Sequence, residues 1–303
     1  MYRLAGNVKW ISGRILLFFL LCTLDVPALY AEGTFSWTVS PMLGVHSPAL
    51  TGLNGAEFDA TLTGTGDIVL DSSSALTVPL KIINPLEDIR YGTEAGLEFE
   101  FNFWPRDAFL FGLSSWEGVT TSQVNTEMPF QGVMSQAAFE RSADISYTQY
   151  YLGWKHYFLD KPKRYKAYSR LTLHELFDVD FREQLVFGFT SGPADTFMRN
   201  IIMESQATGI MMPMIGGGMD WYLNDWLSIG FDAGYTFDIR KSVLSHASIK
   251  TDLQSGDNLT LELPAQLEPG TLEMMYKTSD GSYKKIHLSF AGWRALLHIT
   301  FHF

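Results

Sequence analysis

Cysteine is almost missing from this chain of 303 residues: the one present, Cys22, lies inside an apolar run near the N-terminus. If that run is removed as a leader, no thiol remains, which excludes a disulfide framework and any cysteine metal site. Long apolar runs are missing too. Beyond residue 31 no stretch of 18 apolar residues occurs, and a spanning helix needs about 20. Any membrane crossing must then use strands, and those strands must close on themselves, because an open edge leaves backbone N–H and C=O groups unpaired in hydrocarbon. Positive charge is scarce, with 22 Lys and Arg against 33 Asp and Glu, a net charge of −11 and a pI near 5.0. A polyanion-binding protein has the opposite balance, so nucleic acid is not an expected partner. Catalytic spacings are also lacking. His174-Glu175 has no second histidine to complete HExxH. Gly216-Gly217-Gly218 falls inside a strand pattern, where close backbone packing explains it better than a phosphate loop. No enzyme activity, metal or cofactor is expected.

What is present begins with a leader. Arg3, Lys9 and Arg14 precede the ten apolar residues Ile15 to Leu24, and Pro27 and Ala28-Leu29-Tyr30-Ala31 follow before Glu32. This is the layout of a cleaved secretory signal. It divides the chain into residues 1–31, removed, and residues 32–303, the mature protein. Asp25 and Pro27 cut the run too short for an uncleaved anchor, and Leu20-Leu21 before Cys22 does not fit a lipoprotein signal. Cleavage takes away Arg3, Lys9, Arg14 and Asp25 and leaves a net charge of −13.

The mature part is patterned with a period of two. From Thr93 to Phe103, Thr93, Ala95, Leu97, Phe99, Phe101 and Phe103 alternate with Glu94, Gly96, Glu98, Glu100 and Asn102. Alternation over about 9–11 residues is the mark of a membrane strand. A turn at Trp104-Pro105-Arg106-Asp107 leads into Ala108 to Gly118. The stretch from Ser146 to Tyr157 and its return from Tyr165 to Phe177 form a second hairpin. Met211 to Tyr222 and Leu227 to Asp238 form a third, turning at Asn224-Asp225. A first strand runs from about Gly33 to Val45 and a last from His287 to Phe303. The expected fold is therefore all-β: a closed antiparallel transmembrane barrel of eight strands.

Three connections are short, near residues 105, 161 and 224. Four are long, at 46–90, 119–144, 178–210 and 239–284. Outer-membrane barrels have short periplasmic turns and long external loops. With both termini in the periplasm the links sort themselves correctly, and the long ones become extracellular. Ile68 to Leu70, Ala75 to Ile83 and Thr260 to Leu263 are apolar enough to lengthen a hairpin, so ten strands is the alternative count. Pro193 to Glu204 is expected as a short loop helix.

If the Phe-, Trp- and Leu-bearing faces meet lipid, with Phe35, Trp37, Trp154, Trp221, Trp293 and Phe303 as interfacial anchors, the other faces line the interior. The lumen candidates are then Glu94, Glu98, Glu100, Lys155, Arg170, Asp220, Asp232 and Arg294, with Lys166 and Asp238 on the same faces. Eight strands leave room only for side chains or one small ligand, so a general-diffusion pore is excluded and these charges must pair or be hydrated. Asp232 and Arg294, on neighbouring strands, form one expected pair. Lys155 and Arg170 are expected to meet Glu98 or Glu100 across the barrel.

The chain ends Leu297, Ile299, Phe301, Phe303. This alternation before a terminal Phe is similar to the assembly signal read by the outer-membrane insertion machinery. Together with YYLGWKHYF (150–158) and IGGGMDWYLNDWLSIGFDAGYTF (215–237), it resembles the OmpW family, which includes OprG. The resemblance covers about half of the mature chain, the membrane part; the loops match no family pattern and are longer than the family implies. It implies an eight-strand barrel in the outer membrane that lets small hydrophobic molecules enter from outside and leave sideways through the wall. It fixes no gate residue. The other reading is a surface-exposed interaction protein, or adhesin, that displays four long loops on a plugged barrel. His287 and Ser289, on one face near the outer end of the last strand, are similar to the pair in lipid A deacylases, but no orienting acid accompanies them. The expected partners are outer-membrane lipid, the insertion machinery and small hydrophobic solutes.

Overall fold

The computed structural model describes residues 36–303 except 51–52, 54–60, 65–68, 72–73, 76, 80–83, 85, 131–132, 159–163, 193–194, 253, 255–258, 263–264 and 278–281. The expected leader and Phe35 lie outside the described residues.

Ten strands carry the architecture: β1 (Ser36–Pro48), β2 (Gly92–Asn102), β3 (Asp107–Phe130), β4 (Val133–Tyr157), β5 (Tyr165–Gly192), β6 (Asp195–Ala207), β7 (Ile210–Asn224), β8 (Leu227–Thr236), β9 (Ser245–Thr251) and β10 (Gly292–His302). Eight of them close a ring in the order β1-β2-β3-β4-β5-β7-β8-β10 and back to β1, every pair antiparallel. The ring is sealed between β5 and β7, where Tyr165 to Leu176 pair with Trp221 to Ile210. At the opposite seam the last residue closes on the first strand: Phe303 N–H donates to the Trp37 carbonyl at 3.0 Å and Trp37 N–H to the Phe303 carbonyl at 3.3 Å. No edge remains at that level, so the backbone polar groups of the ring are satisfied within it.

β3, β4 and β5 do not stop at the ring. They continue beyond it and, with β6 and β9, make a five-stranded head in the order β3-β4-β5-β6-β9. The stretches 119–144 and 178–210, expected as loops, are therefore mostly strand. Residues 195–204 belong to β6 and are not helical. Their apolar spacing served a sheet: Phe197 joins a cluster of rings with Phe130, Phe187 and Phe189. The segments Thr61–Gly64, Thr77–Pro79 and Leu259–Glu262 pair among themselves in a small separate sheet and add no strand to the ring.

Three neighbouring strands change parity at one height. In β5, Leu176 pairs with Gln149 and Asp178 with Thr148, so Phe177 is an extra residue. Between β6 and β7, Ala207 and Ile210 both point inward across Thr208-Gly209, and Gly209 sits at φ +70°. After β8, the Met211 carbonyl accepts from both Ile239 N–H (3.0 Å) and Arg240 N–H (3.2 Å), a β-bulge. Each insertion moves the inward set by one residue. The inward set in β5 thus runs 166 to 176 and then 179 to 189. One continuous inner face therefore links barrel and head.

The last strand begins at Gly292, not His287. His287–Leu288 instead pairs with Ser242–Val243. His287 is exposed while Ser289 is buried and donates its hydroxyl to Asp238, so the two do not share a face. The Asp238 carboxylate also accepts the Phe290 N–H at 3.2 Å, which makes it a tie for this turn.

Candidate functional site: the lumen and its outer mouth

The outward residues of the ring are apolar. Leu43, Val45, Leu113, Leu152, Leu171, Leu173, Ile215, Ile229, Phe231, Leu297 and Ile299 are large and exposed. In water such a surface would aggregate; facing lipid it costs nothing. Trp104, Trp154, Trp221, Trp226 and Phe303 are exposed near the short turns, where an aromatic girdle belongs. The eleven residues of β10, at about 3.3 Å each and a tilt of about 40°, span roughly 25 Å, the height of the apolar band. Above Leu113 and Leu173 the outward residues turn mainly polar, with Ser115, Glu117, Ser142, Asp144, Asp178 and Asp180 around Val119 and Phe177. The hydrocarbon therefore ends there, and the head stands in water.

The inside is the reverse. Glu94, Glu98, Glu100, Lys155, Arg170, Asp220, Asp232 and Arg294 all point into the ring, and none is more than 4 % exposed. The chain is a transmembrane β-barrel of the outer-membrane type. Its lumen holds three tiers of paired charge. In the tier nearest the head, Arg294 grips Glu94 (Nε–Oε2 2.7 Å, with a second contact from Nη2), and Glu94 also accepts from Ser114 Oγ at 2.6 Å and Gln149 Nε2 at 2.9 Å. In the middle tier Arg170 bridges two acids, Glu98 and Asp232, at 2.6 Å each. Tyr151 and Tyr168 donate to the same two acids at 2.8 Å. His298 contacts Asp220 at 2.6 Å and lies 3.7 Å from Asp232. In the tier nearest the short turns Lys155 meets Glu100 at 2.7 Å and Glu98 at 3.6 Å, Tyr157 donates to Glu100 at 2.5 Å, and the Lys166 ammonium lies 3.7 Å from the Tyr157 ring centre.

Arg170 and Lys155 thus meet the acids expected of them. The expected pair Asp232 and Arg294 does not form. Arg294 instead reaches Glu94 two strands away, because Gly44, which stands between them on β1 and is paired with Glu94 and Leu296, has no side chain to intervene. Asp232 is left to Arg170 and Tyr168. Small inward residues admit the large ones elsewhere as well: a side chain at Gly218 would meet the Tyr168 hydroxyl at 2.5 Å.

A through-channel is lined by solvent-exposed side chains, and the charged side chains here are buried. Tyr151, which crosses the lumen, has no exposed surface. Buried charge at this density is tolerated because each acid has a cation or hydroxyl partner.

Above the charged tiers the interior becomes apolar. His46 closes the mouth: Nδ1 lies 2.8 Å from the Tyr147 hydroxyl, and its carbonyl accepts from Trp116 Nε1 at 3.1 Å. Trp116 stacks on Tyr147, and Phe290 packs edge-on against both. Leu176, Val179, Phe181, Met203, Ile210, Met212, Leu244, Met274 and Leu288 continue this cluster into the head. Sequence reasoning named none of these as a site: Trp116, Tyr147 and Phe290 lie on stretches expected as strands but carry no charge, while His46, Val179, Phe181, Met203 and Leu244 lie in stretches expected as loops. One buried ion pair, Arg141 with Glu183 at 2.8 Å, separates it from the phenylalanine cluster further out, where Phe130 stacks on Phe189 at 4.3 Å.

No protein-family model matches the chain, and no curated protein matches it. Among solved structures it is similar to the outer membrane protein OprG of Pseudomonas aeruginosa (11% identity, TM-score 0.36, covering 89% of this chain and 96% of that one). It is also similar to CarO2 of Acinetobacter baumannii (9%, 0.32, 86% and 98%) and to a major outer membrane protein of Thermus thermophilus (10%, 0.31, 89% and 99%).

Proposed function

We propose that the barrel is a sealed anchor and that the head is the working part: a surface-exposed interaction protein of the outer membrane. The observation that carries this reading is the buried, ion-paired lumen lying under a folded extracellular sheet. The centre offers no passage, whereas β3 to β6 hold a rigid platform in water. Residues 1–31 would serve as the leader. Leu297, Ile299, Phe301 and Phe303 would be the signal for the insertion machinery; Leu297, Ile299 and Phe303 are exposed on the lipid face.

A second reading is supported by a different observation. The insertions at Phe177, Thr208-Gly209 and Ile239-Arg240 interrupt the wall on adjacent strands at one height, beside an apolar interior. A small hydrophobic solute that entered through the head would leave sideways there, above the sealed tiers, as the OmpW resemblance implies.

One set of vesicles separates the two. The full protein and a variant with residues 119–144 and 178–207 replaced by short turns are reconstituted and assayed for uptake of a small apolar fluorophore. Both are also tested for adhesion to immobilised matrix proteins and glycans. The anchor reading expects no uptake above that of lipid alone, no conductance steps, and adhesion that disappears with the head. Uptake by the full protein that disappears with the head, without adhesion, would establish the conduit instead.

A further inference from the structure

The outer rim of the barrel is electrically divided. On the β3–β5 side the outward charges just above the apolar band are mainly acidic: Glu117, Asp144, Glu175, Asp178 and Asp180, against Arg182 opposite Asp144. On the β8–β10 side Arg240, on the outward rung with Met211, and its neighbour Lys241 are both exposed, and neither has an ion-pair partner among the described residues. The bulge opposite Met211 is what turns Arg240 outward. By the alternation of β8 it would point inward, but the extra residue carries it onto the lipid side. There its guanidinium lies over Gly209, whose missing side chain leaves the position open; a Cβ at Gly209 would stand 3.8 Å from the Arg240 Cζ. The nearest outward acid along the rungs is Glu175, which faces Met211 on the other side of β7 and is engaged by the Tyr150 hydroxyl.

Directly below these two cations runs a column of exposed apolar side chains. Ile239 is 68 % exposed, and Phe237 follows, packed edge-on against Tyr235 at 4.9 Å. Tyr235 in turn packs edge-on against Trp293, 67 % exposed on β10, at 5.2 Å. Cations above and hydrocarbon-facing side chains below fit one chemistry, a phosphorylated headgroup on an acyl chain.

We propose that Arg240 and Lys241, above Ile239, Phe237, Tyr235 and Trp293, form a specific seat for a phosphorylated lipid of the outer leaflet. The phosphate lies between the two cations and an acyl chain lies along the column. Each basic residue near a membrane surface strengthens anionic binding by roughly fivefold, so the pair is worth about thirtyfold.

The test uses the detergent-solubilised full barrel and native mass spectrometry. The probes are a phosphorylated diglucosamine acyl lipid, the same lipid with its phosphates removed, and inorganic phosphate. One retained phospholipid per barrel is expected, with the dephosphorylated lipid at least tenfold weaker. The double variant Arg240→Gln/Lys241→Gln is expected to lose about thirtyfold. Arg90→Gln, an exposed rim cation outside the seat on the β2 side, should bind like the parent. Both positions are on the surface, so heat-modifiable gel mobility verifies that the variants are folded. Trp293→Ala, which keeps both cations, is expected to weaken the phospholipid and leave the phosphate preference unchanged. Equal retention of the dephosphorylated lipid, an unaffected double variant, or displacement of the lipid by millimolar inorganic phosphate would each overturn the proposal.

Discussion

Replacing Arg294 by Met tests whether the lumen is dry. Arg294 and Glu94 are both buried, and the guanidinium holds the carboxylate through two contacts. Removing one partner of a buried pair costs about 3–5 kcal/mol, because the other charge stays buried and uncompensated. Here Glu94 keeps two hydrogen bonds, from Ser114 and Gln149, so the lower end, about 3 kcal/mol, is expected. The double variant Glu94→Gln/Arg294→Met leaves no charge. Its new amide still has Ser114 and Gln149 as neighbours, and it is expected within about 1 kcal/mol of the parent, a coupling of at least about 2 kcal/mol. Urea unfolding in phospholipid vesicles, followed by tryptophan emission and by the mobility of unboiled samples, measures all the variants. If Arg294→Met costs under about 1 kcal/mol and the cycle shows no coupling, water screens the pair. The lumen would then be wet, and the sealed-anchor reading would fail with it.

The lipid face can be mapped in the same assay: Leu297→Arg, in mid-band, should cost about 2–4 kcal/mol, while Thr121→Arg on the water-facing side of the head should stay within about 0.5 kcal/mol of the parent. Gly230→Ala should cost about 1–3 kcal/mol, since the new methyl group would press on both members of the His298–Asp220 pair. In the head, burial raises the Asp144 carboxyl above its ordinary value, opposed by Arg182 and reinforced by Glu117, Asp180 and Glu204. A group whose pKa rises on folding favours the fold when protonated and loses that contribution as pH climbs through its folded value. Asp144→Asn should therefore protect the β4–β5 amides from hydrogen exchange at pH 7. At about pH 3, where the carboxyl is protonated folded or unfolded, it should change nothing.

The membrane half of the fold was legible because a lumen and a bilayer impose opposite demands on alternate residues. The period of two in 93–103 and 227–238 survives as β2 and β8, and the inward set it defines is the inward set observed. The head was not legible, for a local reason. The sequence-based strands end at Phe177, begin at Met211 and end at Asp238, and those are the positions next to the three insertions. An extra residue reverses the alternation, so a pattern read in one phase stops there although the strand continues in the other. Val179, Phe181, Glu183, Leu185, Phe187 and Phe189 alternate as regularly as Lys166 to Leu176, one residue out of step. In water the outward positions also became polar, so the contrast with lipid-facing strands disguised them as loops. The lumen partners posed a different problem. The inward faces identify the charges, but Arg294 pairs with Glu94 through the absence of a side chain at Gly44, which no rule for adjacent strands anticipates.

The charge balance ties these parts together. Glu94, Glu98, Glu100, Asp220 and Asp232 in the lumen are opposed by Lys155, Lys166, Arg170 and Arg294, so the interior carries a formal −1 of the chain's −11. The acidity of the sequence therefore belongs almost wholly to its surface. On the β4 and β5 side that surface meets the boundary between hydrocarbon and water mainly as acids, Asp144, Glu175, Asp178 and Asp180 against the single charge of Arg182, a net negative wall that repels the phosphates of the bilayer carrying the protein. On the β8 side Arg240 and Lys241 attract the same groups. A barrel repelled along one wall and held along the other has a preferred lipid-facing orientation, and the three insertions that carry β5, β6 and β9 into the head also place those opposite charges at its base.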